Sequence, residues 1–280
     1  MRFSAVTLAS SDVGATASYF GRFGYESIGA GPDAAHRVLG QPFAAVTADV
    51  EIVHTDDPLR VRRGWECGPV ALDIYCRDLD VACGDLAETA QISPVATLRT
   101  PTMTMRQAMA TFDDSLPVVM VEATSRRSSV LDDREDLLYS EPHSVVWAVH
   151  DHLREVEFWA QMGFAIGPSL TFENDSVGAV LGLQEPATPL TMTMVSDEAV
   201  SPIRLEVLTF DAYCTGPHAS VQDPTSRSIA GLRCEVDDGE AAEELWVRLG
   251  GSSAREVGGS GCMVSPGGVV VTLAEPATSP

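Results

Sequence analysis

Apolar runs recur along the chain, each closed by an aspartate and followed by a stretch of helical periodicity. AVTLASSD leads to YFGRFGY, SVVWAVHD to FWAQMGF, and GLRCEVDD to LWVRLGG. By their period, the first part of each is a strand and the second an amphipathic helix. From the Asp to the Gly that ends the helix there are twelve residues in all three: Asp12 to Gly24, Asp151 to Gly163, Asp238 to Gly250. An aromatic residue, Phe20, Trp159 or Trp246, stands four before each glycine. Equal spacings repeated in this way point to duplication. The Asp can cap the helix through its side-chain oxygen, and the glycine suits the left-handed turn beyond it. A fourth copy, PVALDIYCRDLDVACGDLAETA, keeps the strand and Asp78 but has Ala90 in place of the glycine.

After each helix comes sequence suited to three more strands. The last of these is VEIVHT around Glu51, PVVMVEAT around Glu122, IRLEVLTF around Glu206 and GGVVVTLAEP around Thr272. A TMTM string precedes two of them, at Thr102 to Met105 and Thr191 to Met194. The pattern predicts an α+β fold of four βαβββ modules. Between Thr124 and Pro142 the polar stretch SRRSSVLDDREDLLYSEP reads as a linker. It divides the chain into an N-terminal domain over 1–126, a linker over 127–140 and a C-terminal domain over 141–280, with two modules in each. A chain of 280 residues with 45% apolar content can bury a core in both. The helical aromatics, Tyr19, Phe20, Phe158, Trp159 and Trp246, are expected in those cores.

Charge narrows the partners. With 40 acidic and 18 basic residues the chain carries −22, which repels phosphate backbones and anionic membranes. No nucleic acid or membrane partner is therefore expected, and a monomer or homodimer in the cytoplasm is. The longest apolar runs, such as Val118–Val121 and Gly268–Leu273, fall far short of a bilayer span, and no basic, hydrophobic leader follows Met1. The six cysteines, Cys67, Cys76, Cys83, Cys214, Cys234 and Cys262, contain no CxxC pair, so reduced and mostly buried thiols are expected. There is no Gly-rich phosphate loop and no G-x-S-x-G elbow.

Four βαβββ units with Asp-capped helices and an aromatic-x-x-apolar-Gly helix end resemble the vicinal oxygen chelate superfamily, which includes glyoxalase I, bleomycin-resistance proteins and extradiol dioxygenases. The resemblance implies that two units pair so that their sheets form an open cup. It also implies, in metal-dependent members, a ligand, usually His, seven residues before the capping Asp and a Glu on the last strand. Those places hold Ala5, Ala71, Ser144 and Gly231 on the first strands, and Glu51, Glu122, Glu206 and Thr272 on the last. Three carboxylates remain without imidazole beside them, so neither metal nor other cofactor is expected. Should a metal bind, Glu51 and Glu122 are the fallback anchors, since two carboxylates favour a hard cation. His143 stands one residue from a ligand position and should face away from the cup unless a bulge shifts the register. His36, His54, His150, His152 and His218 are expected to be solvated.

Strand alternation adds Thr7, Asp73 and Tyr75 to Glu51 and Glu122 in the first half. In the second half it groups Ser144, Val146, Ala148, Arg204, Glu206, Arg233, Glu235 and Thr272. Only the second half offers both signs of charge, so it is expected to be the working cup, with Glu206 handling a proton and Arg233 orienting a ligand oxygen. Three functions fit: a metal-independent lyase, isomerase or cyclase acting on a small, secondary-type metabolite; a protein that sequesters a drug or metabolite; and a metal enzyme with a carboxylate-rich site.

Overall fold

A computed structural model describes residues 1–28, 35–38, 48–56, 67–99, 104–111, 117–172, 175–181, 189–197, 203–210, 229–257 and 260–275. His218, Cys214, Thr102 and Met103 lie outside them. The first module runs β1 (Arg2–Ser10), α1 (Val13–Arg22), β2 (Tyr25–Ile28), β3 (Ala35–Val38) and β4 (Asp49–His54). The second is β5 (Gly68–Cys76), α2 (Leu79–Leu86), β6 (Gln91–Ile92), β7 (Ala96–Arg99), β8 (Thr104–Thr111) and β9 (Pro117–Ala123). The third is β10 (Tyr139–Ala148), α3 (His152–Gln161), β11 (Ala165–Ile166), β12 (Leu170–Phe172), the short α4 (Asp175–Val180), β13 (Leu190–Ser196) and β14 (Arg204–Phe210). The fourth is β15 (Ile229–Glu235), α5 (Gly239–Arg248), β16 (Ser252–Val257), β17 (Ser260–Val264) and β18 (Val270–Ala274). In the middle modules one strand of the βαβββ plan is broken in two. Pro94 falls between β6 and β7, and Pro168 between β11 and β12, where a residue without an N–H interrupts the ladder.

The local signals act as the spacing predicts. Asp12, Asp78, Asp151 and Asp238 each accept a backbone N–H at the start of their helix, at 2.8 to 3.1 Å. Gly24, Gly163 and Gly250 carry φ of 78°, 92° and 93°, the left-handed conformation that lets the chain leave the helix. The helix α2, which lacks the glycine, ends instead at Ala87 in right-handed geometry.

Two sheets result. One has the order β16-β17-β18-β15-β1-β4-β3-β2, the other β11-β13-β14-β10-β5-β9-β8-β6, with β12 on β13 and β7 on β8. Each sheet joins two modules through antiparallel first strands, β1 with β15 and β5 with β10. Module one thus pairs with module four, and module two with module three. This corrects the expectation that consecutive modules share a cup: the divisions 1–126 and 141–280 separate module pairs that do not share a sheet. Neighbouring elements in sequence usually pair in space. Here all four first strands are apolar runs of interchangeable character, and nothing in one strand's own pattern selects its partner.

The helix-covered faces of both sheets meet in one apolar cluster. Phe3 of β1 packs on Trp159 of α3 and on Phe164, with ring centroids 5.7 and 4.7 Å apart, and Trp159 meets Trp246 of α5 edge-on at 5.5 Å. Beside them lies Glu155, fully buried, whose carboxylate accepts from Trp159 Nε1 (2.7 Å), Ser265 Oγ (2.6 Å) and the Gly267 amide (2.6 Å). It ties a helix over one sheet to a turn of the other. A Cβ at Gly267 would come within 2.6 Å of Glu155 Oε2. Gly267→Ala is therefore expected to cost about 1–3 kcal/mol of stability by overpacking, read from urea denaturation. An unchanged midpoint would show that the turn can move aside.

Among the described residues no helix is long and apolar enough to cross a membrane. The described cysteines, Cys67, Cys76, Cys83, Cys234 and Cys262, are free thiols. His54 and His150 are exposed, but His152 is buried at the start of α3, contrary to expectation.

Candidate functional site

The concave face of the sheet made by modules two and three encloses a cavity of about 500 Å³. Its floor is built by alternation. Ala71, Asp73 and Tyr75 come from β5, Val119 and Val121 from β9, Val146 from β10, and Arg204, Glu206 and Leu208 from β14. The walls are apolar, with Met105, Met192, Met194, Leu98, Leu190 and Phe172 prominent. Helix α4 of module three crosses to pack against β7 and β8 of module two, and its Val177 and Val180 close one side.

The polar end depends on an irregularity in β10. Pro142 stands opposite Ile74 and Ser144 opposite Asp73, so two residues of β10 face one step of β5. Such a bulge bends the strand and turns an extra side chain to the same face. His143 therefore enters the cavity instead of facing the helices. Its ring stacks on Tyr75, with centroids 3.9 Å apart and planes 12° from parallel.

A hydrogen-bonded chain follows. Ser144 Oγ donates to Asp73 Oδ2 at 3.0 Å. Arg204 Nη2 lies 3.1 Å from His143 Nδ1, and Arg204 Nε donates to the His143 carbonyl at 3.4 Å. A guanidinium can only donate, so Nδ1 is the acceptor and the ring proton is assigned to Nε2. Burial, with Arg204 and Arg127 nearby, holds the His143 pKa well below its usual value, so the imidazole stays neutral. Its Nε2 and Asp73 Oδ1 are buried and have no hydrogen-bond partner among the described residues.

Two carboxyls share this floor. Burial pushes the Glu206 pKa up to about 7, opposed by Arg204. Asp73 is also raised well above the carboxylate range, by burial and by Glu206, against Ser144 and Arg204. Two acids in one apolar cup cannot both ionise cheaply, so the pair retains a proton at neutral pH. Glu206 makes no hydrogen bond among the described residues, and the surface it keeps faces the cavity.

The residues expected in the separate cups of the two halves are regrouped between the sheets. Asp73, Tyr75, Ser144, Val146, Ala148, Arg204 and Glu206 lie together in this one. Arg233, Glu235, Thr272 and Glu51 belong to the other sheet, so Arg233 does not meet Glu206. Arg233 Nη1 pairs with Glu51 Oε1 at 2.8 Å, Thr7 Oγ1 donates to Glu51 Oε2 at 3.3 Å, and Arg2 pairs with Glu235 at 2.6 Å.

Glu122 is misassigned by three residues. Glu51 stands beside Thr7, Glu206 beside Val146 and Thr272 beside Arg233, each partner five residues before its capping Asp. The corresponding residue of module two, Asp73, stands beside Val119. Glu122 has the opposite facing. It accepts from the Leu79 amide at the start of α2 (3.1 Å), pairs with Arg106 (2.9 Å) and borders a separate cavity of about 280 Å³. Glu51 and Glu122 lie in different sheets and cannot anchor one metal.

Three contributors went unassigned by strand alternation. His143 needed the bulge. Arg126 and Arg127, from the stretch read as linker, reach the cavity mouth, where the Arg126 guanidinium lies 5.8 Å from the centre of the Tyr75 ring. The TMTM strings had a purpose: Met105, Met192 and Met194 give the walls an adaptable lining.

The residues do not suit the metal site that the resemblance implies. Ala71 and Ser144 occupy the first-strand ligand positions, Arg204 places a cation beside Glu206, and among the described residues no three His, Cys, Asp or Glu side chains converge as a coordination set.

No family model matches the chain, and no curated protein matches it. Solved structures do. Glyoxalase I from Zea mays is similar with a TM-score of 0.66 at 16% identity, over 98% of this chain and 92% of that one. A Bacillus subtilis protein provisionally named a dioxygenase is similar with a TM-score of 0.61 at 6% identity, over 100% of this chain and 86% of that one. At such identities the likeness speaks for architecture, and it agrees with the four modules, the capped helices and the cupped sheet: the chain has the fold of the vicinal oxygen chelate superfamily.

Proposed function

We propose that the protein is a metal-independent lyase, isomerase or cyclase that moves a proton on a small organic metabolite held in the cup of modules two and three. The reading places it in the cytoplasm as a monomer or homodimer. One observation carries it: Glu206, with its pKa raised to about 7, shares a mostly apolar cavity with a second carboxyl and with unspent hydrogen-bond donors. A base poised near neutral pH suits proton transfer. Glu206 takes a proton from a carbon next to a carbonyl, and the C–H electron pair passes to the carbonyl oxygen as an enolate. The Arg204 guanidinium and His143 Nε2–H stabilise that oxygen. Return of the proton to another carbon from Glu206 or Asp73 completes an isomerisation, and departure of a neighbouring leaving group completes an elimination.

The test is solvent exchange. Incubated in D₂O with a panel of small carbonyl compounds, the wild-type protein should place deuterium at carbon, seen as a mass gain of one, and should do so in the presence of EDTA. Loss of exchange on chelation would favour a metal reaction. The methionine-lined walls favour one other reading, sequestration of an apolar drug or metabolite; it predicts compounds that bind with no exchange by any variant.

A further inference from the structure

The stretch that joins the halves brings to the cavity a guanidinium with no hydrogen bond or ion pair among the described residues. Arg126 and Arg127 both reach the mouth, but their circumstances differ. Arg126 spends its guanidinium on Ser129 Oγ and Asp132 Oδ1, both at 2.7 Å, beside a capped turn that holds residues 129–132 in place. Arg127 is half-buried; its carbonyl accepts from Arg126 Nη1 at 3.2 Å, but its guanidinium makes no hydrogen bond or ion pair among the described residues. It sits within electrostatic reach of Arg204 and His143, with the Tyr75 ring and the Asp197 carboxylate also facing it.

That surrounding disfavours a charged guanidinium. Burial and the like charge of Arg204 both lower the Arg127 pKa, which is to say that the charged form lacks solvation. Arg204 has committed Nε and Nη2 to His143, leaving Nη1 without an acceptor among the described residues. Nearby, the nine-tenths-buried His143 presents an Nε2–H with no partner among them. Donors from three side chains thus converge at one end of a cavity that also holds Asp73 and Glu206 on its floor and is otherwise walled mainly by methionine, leucine, valine and phenylalanine. An anion between two guanidiniums relieves their repulsion and fills the orphaned donor. A carboxylate matches the planar fork of arginine in shape as well as charge.

We infer that the ligand of this cup is an apolar molecule bearing one carboxylate, which is bound by Arg127 and Arg204 with His143 Nε2–H, and that Arg127 is the residue that selects the anion. The volume of about 500 Å³ suits a molecule of drug size. The inference rests on the cup as the ligand site but not on turnover within it. Arg127 is named as the selector because Arg204 also holds His143 in place, whereas the Arg127 guanidinium has no structural partner among the described residues to lose.

Calorimetry of the full chain with 2-naphthoate and its neutral isostere 2-naphthamide separates charge from shape. Hydrogen bonds to charged groups are worth about 1.5–3 kcal/mol, so naphthoate should bind roughly 10- to 100-fold tighter than naphthamide. In Arg127→Met that preference should fall below about 3-fold while naphthamide affinity stays the same, which also reports an intact cup. Arg127→Lys should recover part of it, as a point charge without the fork. Equal affinities in the wild type, a preference that survives Arg127→Met, or no binding of either probe would each overturn the inference. The two readings fail separately: anion preference without any solvent exchange removes the acid/base function alone, and exchange confined to neutral compounds without anion preference removes the carboxylate ligand alone.

Discussion

Glu206→Gln is expected to lower turnover by roughly two to four orders of magnitude, the usual contribution of a positioned general acid or base. The substitution keeps the size and polarity of the side chain, and it removes the ability to take a proton. Substrate affinity should change little, because the apolar walls and the arginines are untouched. With the pKa of Glu206 near 7, kcat/KM of the wild type should rise with pH through about 7 and level off above it, as the carboxylate becomes available. Stability gives an independent check with a definite sign. The folded-state pKa lies above the ordinary 4.5, so the folded protein holds a proton that the unfolded chain has lost, and stability from this group falls as pH rises from about 4.5 to about 7. The glutamine variant carries no such dependence. Its melting temperature should gain on the wild type across that interval and then hold a constant lead. A variant that keeps full turnover and shows no pH-dependent difference would mean that Glu206 neither handles the proton nor titrates near neutrality.

Trp159→Ala should remove about 3–5 kcal/mol of stability, as large aromatic truncations in cores do, a large share of the roughly 5–15 kcal/mol that holds an ordinary domain folded. Trp159 is fully buried and touches Phe3 of one sheet, Phe164, and the aromatic residues Phe158 and Trp246 of the intervening helices. Its Nε1 also donates to the buried Glu155, which would lose one of three donors. Trp159→Phe separates these effects: it retains much of the ring packing and loses the N–H, so it should cost less. Equilibrium denaturation reads both. A loss below about 1 kcal/mol for the alanine variant would show that the two sheets are not fastened to each other through this cluster.

Much of this architecture is local in origin and was therefore legible before any coordinates. An Asp that caps a helix acts within three residues, a glycine that ends one acts on its own φ, and the twelve-residue spacing between them is a property of one helix; hence the modules could be counted from Asp12, Asp151 and Asp238, and the copy at Asp78 recognised as lacking its glycine. Alternation likewise turned Asp73 toward the cup of the first half and Ser144, Arg204 and Glu206 toward that of the second, and the positions at which the resemblance implies an imidazole were seen to hold Ala71 and Ser144. What needed the tertiary structure was long-range or irregular. Four apolar first strands satisfy any pairing equally well, so only the packed molecule decides that β5 joins β10, and with that choice Arg233 leaves the company of Glu206. The register of β9 against β5 places Val119, and not Glu122, beside Asp73, a pairing of strands more than 40 residues apart that neither strand's own pattern fixes. The bulge that turns His143 into the cup breaks the very alternation from which facing is inferred. Arg127 sits in a polar stretch whose composition says linker, and it becomes part of the cavity because the chain crosses the mouth of the cup on its way from β9 to β10.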